Sequence, residues 1–264
     1  MSSTNMLREA LGRRIDEFIM GLGAVEVAVI DSGVDASHPD LRGRVSGAFR
    51  IDCVQGKLRP IELPVGDNND GFGHGTAVAS IVTRMAPCAR IVDVRVLGAT
   101  QSGAGAALIE GMRVALARRC PVVNMSLAAT APYSQSLMAL CDAAYRQGQV
   151  VVASKRNMPL ADNGYPAEFS SCVAVDCERF ASPYELRYRA GVPIEFVAHG
   201  EDVPVAAPGG GYTTKTGTSF ATPAVSAMCA LLLGAFPGLR PFEIKSLLRD
   251  AAGACERAAL ARDA

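Results

Sequence analysis

Gly217-Thr218-Ser219-Phe220-Ala221-Thr222-Pro223-Ala224 heads a run of small and apolar residues that continues to Phe236. A stretch without a polar face predicts a helix buried on all sides, from Ser219 to Phe236. Working outward, strands and helices alternate. Val25 to Ile30 is a short apolar run that predicts a buried strand ending at Asp31. His74 opens a helix to about Arg84, Arg90 to Leu97 is a strand, and Ala106 to Arg118 is a helix. Pro121 to Met125 is a strand, Ser134 to Gln147 a helix, and Val150 to Ala153 and Cys172 to Asp176 are strands. Residues 50–70, rich in Gly, Pro, Asn and Asp, predict a loop. Residues 178–195 read as irregular, with short extended segments around 194–206. Pro241 starts a last helix, with Glu243, Ile244, Leu247 and Leu248 marking its two faces. At the other end Thr4 caps a helix with Leu7, Leu11, Ile15, Phe18 and Ile19 on one face, and Gly21 stops it. The alternation implies an α/β fold, a mostly parallel sheet with helices on both sides. In such sheets functional groups gather at the carboxyl ends of strands, where Asp31 falls.

Composition narrows the function classes. The 264 residues suit one large domain: an N-terminal helix over 1–22, the main domain over 23–252 and a tail over 253–264. With 49% hydrophobic and 20% charged residues the chain is globular. Its 26 basic residues balance 26 acidic ones, so no global field points to nucleic acid or to an acidic membrane surface. No stretch approaches the ~20 apolar residues of a membrane span. The charged N-terminus does not read as a signal peptide, so the expected setting is cytoplasmic and the eight cysteines are expected as thiols. They form no CxxC pair, and neither zinc nor another cofactor is expected.

A serine hydroxyl is a poor nucleophile at neutral pH and needs a base within hydrogen-bond reach. The chain has three histidines, His38, His74 and His199. His74 stands between Gly73 and Gly75 and opens an apolar helix able to hold it rigid. His38, in His38-Pro39-Asp40-Leu41, reads as a turn residue, and His199, before Gly200-Glu201-Asp202, as an exposed loop residue.

Val29-Ile30-Asp31-Ser32-Gly33, Gly73-His74-Gly75-Thr76 and Gly217-Thr218-Ser219 follow one another in that order. Together they resemble the motifs of the subtilisin-like serine proteases (subtilases, peptidase family S8), in which acid, base and nucleophile follow one another in the order Asp, His, Ser. The resemblance runs from about residue 25 to residue 250 and includes Val123-Asn124-Met125-Ser126-Leu127, Tyr165-Pro166-Ala167 and Ala206-Ala207-Pro208-Gly209. It implies a three-layer α/β/α fold with a mostly parallel central sheet. It also implies a serine endopeptidase with Ser219 as nucleophile, His74 as base and Asp31 as its orienting acid. By the same resemblance Asn157, with the Ser219 backbone amide, matches the donors that stabilise the oxyanion.

The resemblance also assigns a substrate cleft. Ser102-Gly103 would begin an edge that pairs with an extended protein or peptide segment. Ala104 and Gly105 beside it suggest an open outer pocket. Ser126-Leu127-Ala128 and Ser154-Lys155-Arg156 would form opposite walls of the pocket for the residue before the cut. The family usually has Ala-Ala-Gly where this chain has Ser154-Lys155-Arg156. Arg156 and Lys155 then narrow the pocket, supply a counter-charge for an acidic substrate residue, or turn outward. Many relatives carry an Asn-rich calcium loop after the histidine helix. Here the chain passes from Val82 through Met85-Ala86-Pro87 straight to the next strand, so that site is expected to be absent. Asp31 also lies close to the first residue, and no pro-segment is expected. Two further readings stand beside the general endopeptidase: a maturation peptidase dedicated to one small precursor, and a catalytically weak peptide-binding relative.

Overall fold

The computed structural model describes residues 21–97, 104–157 and 162–260. In chain order its elements are β1 (Val25–Asp31), β2 (Val45–Val54), β3 (Lys57–Leu63), α1 (His74–Met85), β4 (Ala89–Arg95) and α2 (Ala104–Ala117). There follow β5 (Val122–Met125), α3 (Ser134–Gln147), β6 (Val150–Ser154), β7 (Cys172–Glu178), β8 (Leu186–Tyr188) and β9 (Phe196–His199). β10 (Val203–Ala207), β11 (Gly211–Lys215), α4 (Thr218–Ala235) and α5 (Pro241–Leu260) complete the chain. The helix expected over 1–22 lies almost wholly outside the described residues. The stretch read as a tail from residue 253 belongs to α5 as far as Leu260.

Nine strands form one sheet in the order β3-β2-β4-β1-β5-β6-β7-β9-β8. Every pairing from β2 to β9 is parallel, and only the edge strands β3 and β8 run antiparallel to their neighbours. The central strands are apolar on both faces: Val122–Met125 and Val150–Ser154 are buried at every position. One face packs against α1, α4 and α5, with Val78, Val225, Met228 and Leu248 in its core. The other packs against α2 and α3, with Leu108, Met112, Leu137 and Cys141. These are the three layers that the alternation implied.

The first strand lies in the middle of the sheet, between β4 and β5. The chain goes from β1 to β2 on one side and, after β4, crosses β1 to β5 on the other. The strand order reverses there, so a topological switch falls at the carboxyl end of β1, where open α/β sheets place their sites. The carboxyl ends of β1, β5 and β6 are Asp31, Met125 and Ser154, on three adjacent strands. α4 packs across β5, β6 and β7 and brings Ser219, in its first turn, to the same end. α4 is long and apolar enough to cross a membrane, but 83% of it is buried in this domain, where it forms the core of one layer.

Residues 50–70, read above as a loop, contain instead most of an antiparallel hairpin, β2 and β3. Gln55 and Gly56 turn it, both at positive φ (51° and 74°), the backbone that two-residue hairpin turns require. β3 is an edge strand with Pro60 in it and four of its seven residues exposed. An edge strand needs no continuous apolar face, so its composition looks like that of a loop. β11 was missed for the same reason, since all five of its residues are exposed.

Candidate active site

Asp31 ends β1 fully buried, and its Oδ1 lies 2.7 Å from Nδ1 of His74. The same oxygen accepts from the Ser32 backbone N–H at 2.8 Å. His74 is the first residue of α1, whose apolar body locks it against the sheet. Both flanking glycines have physical reasons. Gly73 takes φ 84°, and a Cβ on Gly75 would lie 2.1 Å from the Gly33 carbonyl oxygen. Only a residue without a side chain lets α1 start this close to Asp31.

Asp70, which sequence reasoning left in a loop, organises this junction. Its Oδ1 accepts from the backbone N–H of Gly73 (2.7 Å) and Phe72 (3.1 Å) and from the Ser32 hydroxyl (2.8 Å). Its Oδ2 accepts from Thr76, through the N–H at 2.9 Å and the hydroxyl at 2.6 Å. The carboxylate thereby satisfies free N–H groups at the start of α1, where negative charge is favoured. Ser32 completes the tie by accepting from the Gly75 N–H at 2.9 Å. The only sequence signal is an acid four residues before the histidine.

Burial of the His74 ring pulls its pKa down, but the Asp31 charge and hydrogen bond, with Asp70 behind them, outweigh this and hold it above the ordinary value. Next to Asp31, burial pushes the Asp93 carboxyl well above the usual carboxylate range, against hydrogen bonds from Asn68 and Val34.

Ser219 shares with His74 a cleft of about 400 Å³ that also has Ser126, Leu127, Ala128, Ser154, Lys155, Arg156 and Asn157 in its walls. The Ser219 hydroxyl donates to the Ser126 carbonyl at 3.0 Å, and the Ser126 hydroxyl donates back to the Ser219 carbonyl at 3.0 Å. That carbonyl is available because Pro223, four residues on, has no N–H to take it into the helix ladder. Ser126 is held in turn by the Asn124 amide (3.0 Å), and Asn124 by the Ser226 hydroxyl (2.8 Å), all within the core. Phe220 packs its ring 5.5 Å from that of His74. Phe72, half-exposed, forms an apolar rim on the other side, its ring 6.4 Å from that of His74.

Asn157 is exposed in the cleft. Its Oδ1 accepts from the Thr218 backbone N–H and hydroxyl, both at 3.0 Å, which fixes the amide with Nδ2 as its donor. The Thr218 hydroxyl ties the same loop by donating to the Lys155 carbonyl at 2.6 Å. The Ser219 N–H lies in the first turn of α4, where a helix offers no carbonyl partner. Two N–H donors beside a serine hydroxyl and a histidine can stabilise an oxyanion.

The remaining expectations divide. Lys155 does not aim its charge into the cleft: its Nζ bonds Asp176 Oδ2 at 2.8 Å, an oxygen shared with Arg189. Arg156 neither faces solvent nor offers a free charge; its Nη2 donates to the Ala129 carbonyl at 3.0 Å and lies 3.3 Å from Asp162 Oδ1. Gly105 does not mark an open outer pocket, because the Tyr133 ring fills the space where its Cβ would be, 2.3 Å away. Ser102 and Gly103 lie outside the described residues. His38 is a turn residue, but a buried one, with Nε2 on the Gly211 carbonyl at 2.9 Å. His199 is not an exposed loop residue; it ends β9 half-buried, with Nδ1 accepting from the Phe180 N–H at 3.1 Å.

A profile of the subtilase family matches residues 23–263. The chain belongs to the subtilase family. Among its relatives is subtilisin of Bacillus pumilus, 33% identical over 241 residues that cover 86% of this chain and 83% of that protein. Subtilisin E of Bacillus subtilis (strain 168) is also 33% identical over 86% of this chain, which spans 60% of that protein's length. Solved structures agree. Sphericase superposes with a TM-score of 0.71 at 26% identity, covering 87% of this chain and 83% of its own. A cold-adapted subtilisin-like serine proteinase does so at 0.70 and 30% identity, covering 86% and 81%. The chemistry of this subtilase is serine-type peptide-bond hydrolysis.

Among the described residues no group of three or more His, Cys, Asp or Glu side chains is placed to hold a metal ion. Chelation should therefore move the melting temperature of this subtilase by less than about 2 °C, under ~1 kcal/mol for a domain of this size. A larger fall on adding chelator, reversed by calcium, would show a bound ion that these residues do not reveal. Cysteine is no rival nucleophile in the core: burial pushes the Cys120 and Cys229 thiols up to about 12.

Proposed function

We propose that this subtilase is an endopeptidase that holds an extended protein or peptide segment in the Ser219 cleft and cuts it through Asp31, His74 and Ser219. The observation that carries the reading is the 2.7 Å contact of Asp31 with His74 at the mouth of a cleft that also contains Ser219 and Asn157. Asp31 fixes the His74 tautomer by accepting from Nδ1–H, which leaves Nε2 as the base. The Ser219 hydroxyl turns from the Ser126 carbonyl to Nε2, gives up its proton and attacks the scissile carbonyl. His74 then returns the proton to the leaving amine. Asn157 Nδ2 and the Ser219 N–H hold the oxyanion. Water repeats the sequence on the acyl-enzyme.

A fluorophosphonate probe tests this directly. It should label the protein once, at Ser219, and Ser219→Ala should abolish labelling. Absence of labelling in the folded protein would favour the peptide-binding reading. Asn157→Ala should lower kcat by about 10²–10³-fold with little change in KM. A loss confined to KM would make Asn157 a substrate-positioning group instead. The side chain of Arg156 across the cleft favours a narrow repertoire, as in a peptidase dedicated to one precursor, over a general one.

A further inference from the structure

Residues 126–128, after β5, and residues 155–157, after β6, wall the cleft beside Ser219, and residues 163–165 return to pair with both segments. The return segment is tied to each wall: the Ala129 N–H donates to the Tyr165 carbonyl at 2.8 Å, and the Arg156 N–H to the Asn163 carbonyl at 2.7 Å. The two walls therefore have a fixed separation.

The Arg156 side chain starts on one wall and bonds the Ala129 carbonyl on the other, so it spans the space between them. Asp162 holds it there, and the Asp162 carboxylate is itself fixed by the Gly164 N–H at 3.0 Å. The Arg156 side chain is only 17% exposed. The return segment packs closely against both walls at Gly164. A Cβ on Gly164 would lie 2.7 Å from the Ala128 Cβ and 3.4 Å from both Cβ and Nε of Arg156. Gly164 therefore lies close against both the Ala128 methyl and the Arg156 stem, with no room for a side chain of its own.

We infer that Arg156, clamped by Asp162 and the Ala129 carbonyl, plugs the pocket beside Ser219, so that this enzyme cuts after small residues such as Gly, Ala or Ser. This rests on the endopeptidase reading above. A large substrate side chain entering between the walls has to displace the guanidinium that is clamped across them. An acidic residue gains nothing from the guanidinium, because Asp162 already supplies its counter-charge at 3.3 Å. An acidic preference, one of the outcomes open to the sequence, is therefore replaced by a size limit.

The test is a set of extended peptides that differ only in the residue before the scissile bond: Gly, Ala, Ser, Leu, Phe and Glu. Fluorophosphonate labelling is measured on the same samples. Labelling reports whether Ser219 is reactive whatever the pocket admits, so failure of the endopeptidase reading appears as loss of labelling. With labelling intact, kcat/KM for Ala should exceed that for Phe and Leu by at least about tenfold. Arg156→Gly opens the space between the walls and should invert that ratio. Asp162→Asn unclamps the guanidinium without shortening it, and should raise cleavage after Glu relative to Ala by about tenfold, less so in high salt. It serves as the second variant should Arg156→Gly not fold. Unmodified enzyme that labels but cleaves after Phe or Leu as well as after Ala would overturn the plug. So would a preference for Glu before any substitution, or a profile that neither variant alters.

Discussion

Ser219→Ala and His74→Ala should each lower kcat by about 10⁵–10⁶-fold, and the double variant should fall no further. The reason is that the two groups perform one proton transfer. Without the histidine the Ser219 hydroxyl keeps its proton and is no better a nucleophile than water. Without the hydroxyl the histidine has nothing to activate. Removing the second after the first therefore removes little. A residual rate above the uncatalysed reaction should survive, because Asn157 and the Ser219 N–H still bind the oxyanion. KM should change little, since the walls of the cleft are intact. Measuring kcat and KM for the two single variants and the double variant decides the point. Losses that multiply in the double variant would mean that His74 and Ser219 act independently, against the proposed chemistry. The fold should tolerate Ser219→Ala, because the Ser126–Asn124–Ser226 network that holds the start of α4 remains.

Asp31→Asn should lower kcat/KM by about 10⁴-fold at neutral pH. An amide in place of the carboxylate presents an N–H group or an uncharged oxygen to Nδ1. In the first case the ring turns its proton to Nε2 and cannot act as base. In the second the imidazolium formed during attack has no counter-charge. The pH profile carries an independent signature. In the parent enzyme the net effect of burial, Asp31 and Asp70 leaves the His74 pKa above its ordinary 6.5. Catalysis needs the neutral ring, so kcat/KM should rise with pH through an apparent pKa above ~6.5. Asp31→Asn removes the two largest raising influences and leaves burial in place. The acid limb should therefore move to lower pH although the plateau falls. A variant whose limb stayed at the parent's pKa would show that Asp31 does not set the charge state of His74.

Asp31, His74 and Ser219 stand out in the sequence because each stands at a boundary with a strong local signal, and the roles proposed for them come from the resemblance. An apolar strand runs into Asp31, an apolar helix starts at His74, and a helix without a polar face starts at Ser219. Asn157 was legible only through resemblance, since a loop amide after a buried strand says nothing by itself. The hairpin of β2 and β3 is not legible because β3 has four of its seven residues exposed and none buried, so no apolar face marks it as a strand. Asp70 was passed over because its role lies in five hydrogen bonds to groups that a sequence does not show to be unsatisfied. Gly105 looked like open space, but a missing side chain is equally a place for a neighbour, here Tyr133.

The sequence by itself determined the alternation of buried strands and helices, and its motifs carried the resemblance to the family. The alternation follows from local pattern, because burial on both faces of a strand or all round a helix is recorded in consecutive residues. Only the tertiary structure decided where Arg156 points. The guanidinium takes the direction in which a carbonyl from β5's loop and a carboxylate from the return segment are both within reach, 27 and six positions away along the chain. A long charged side chain has several rotamers of similar intrinsic energy, and the partners that select among them are brought to it by strand order rather than by neighbours in sequence.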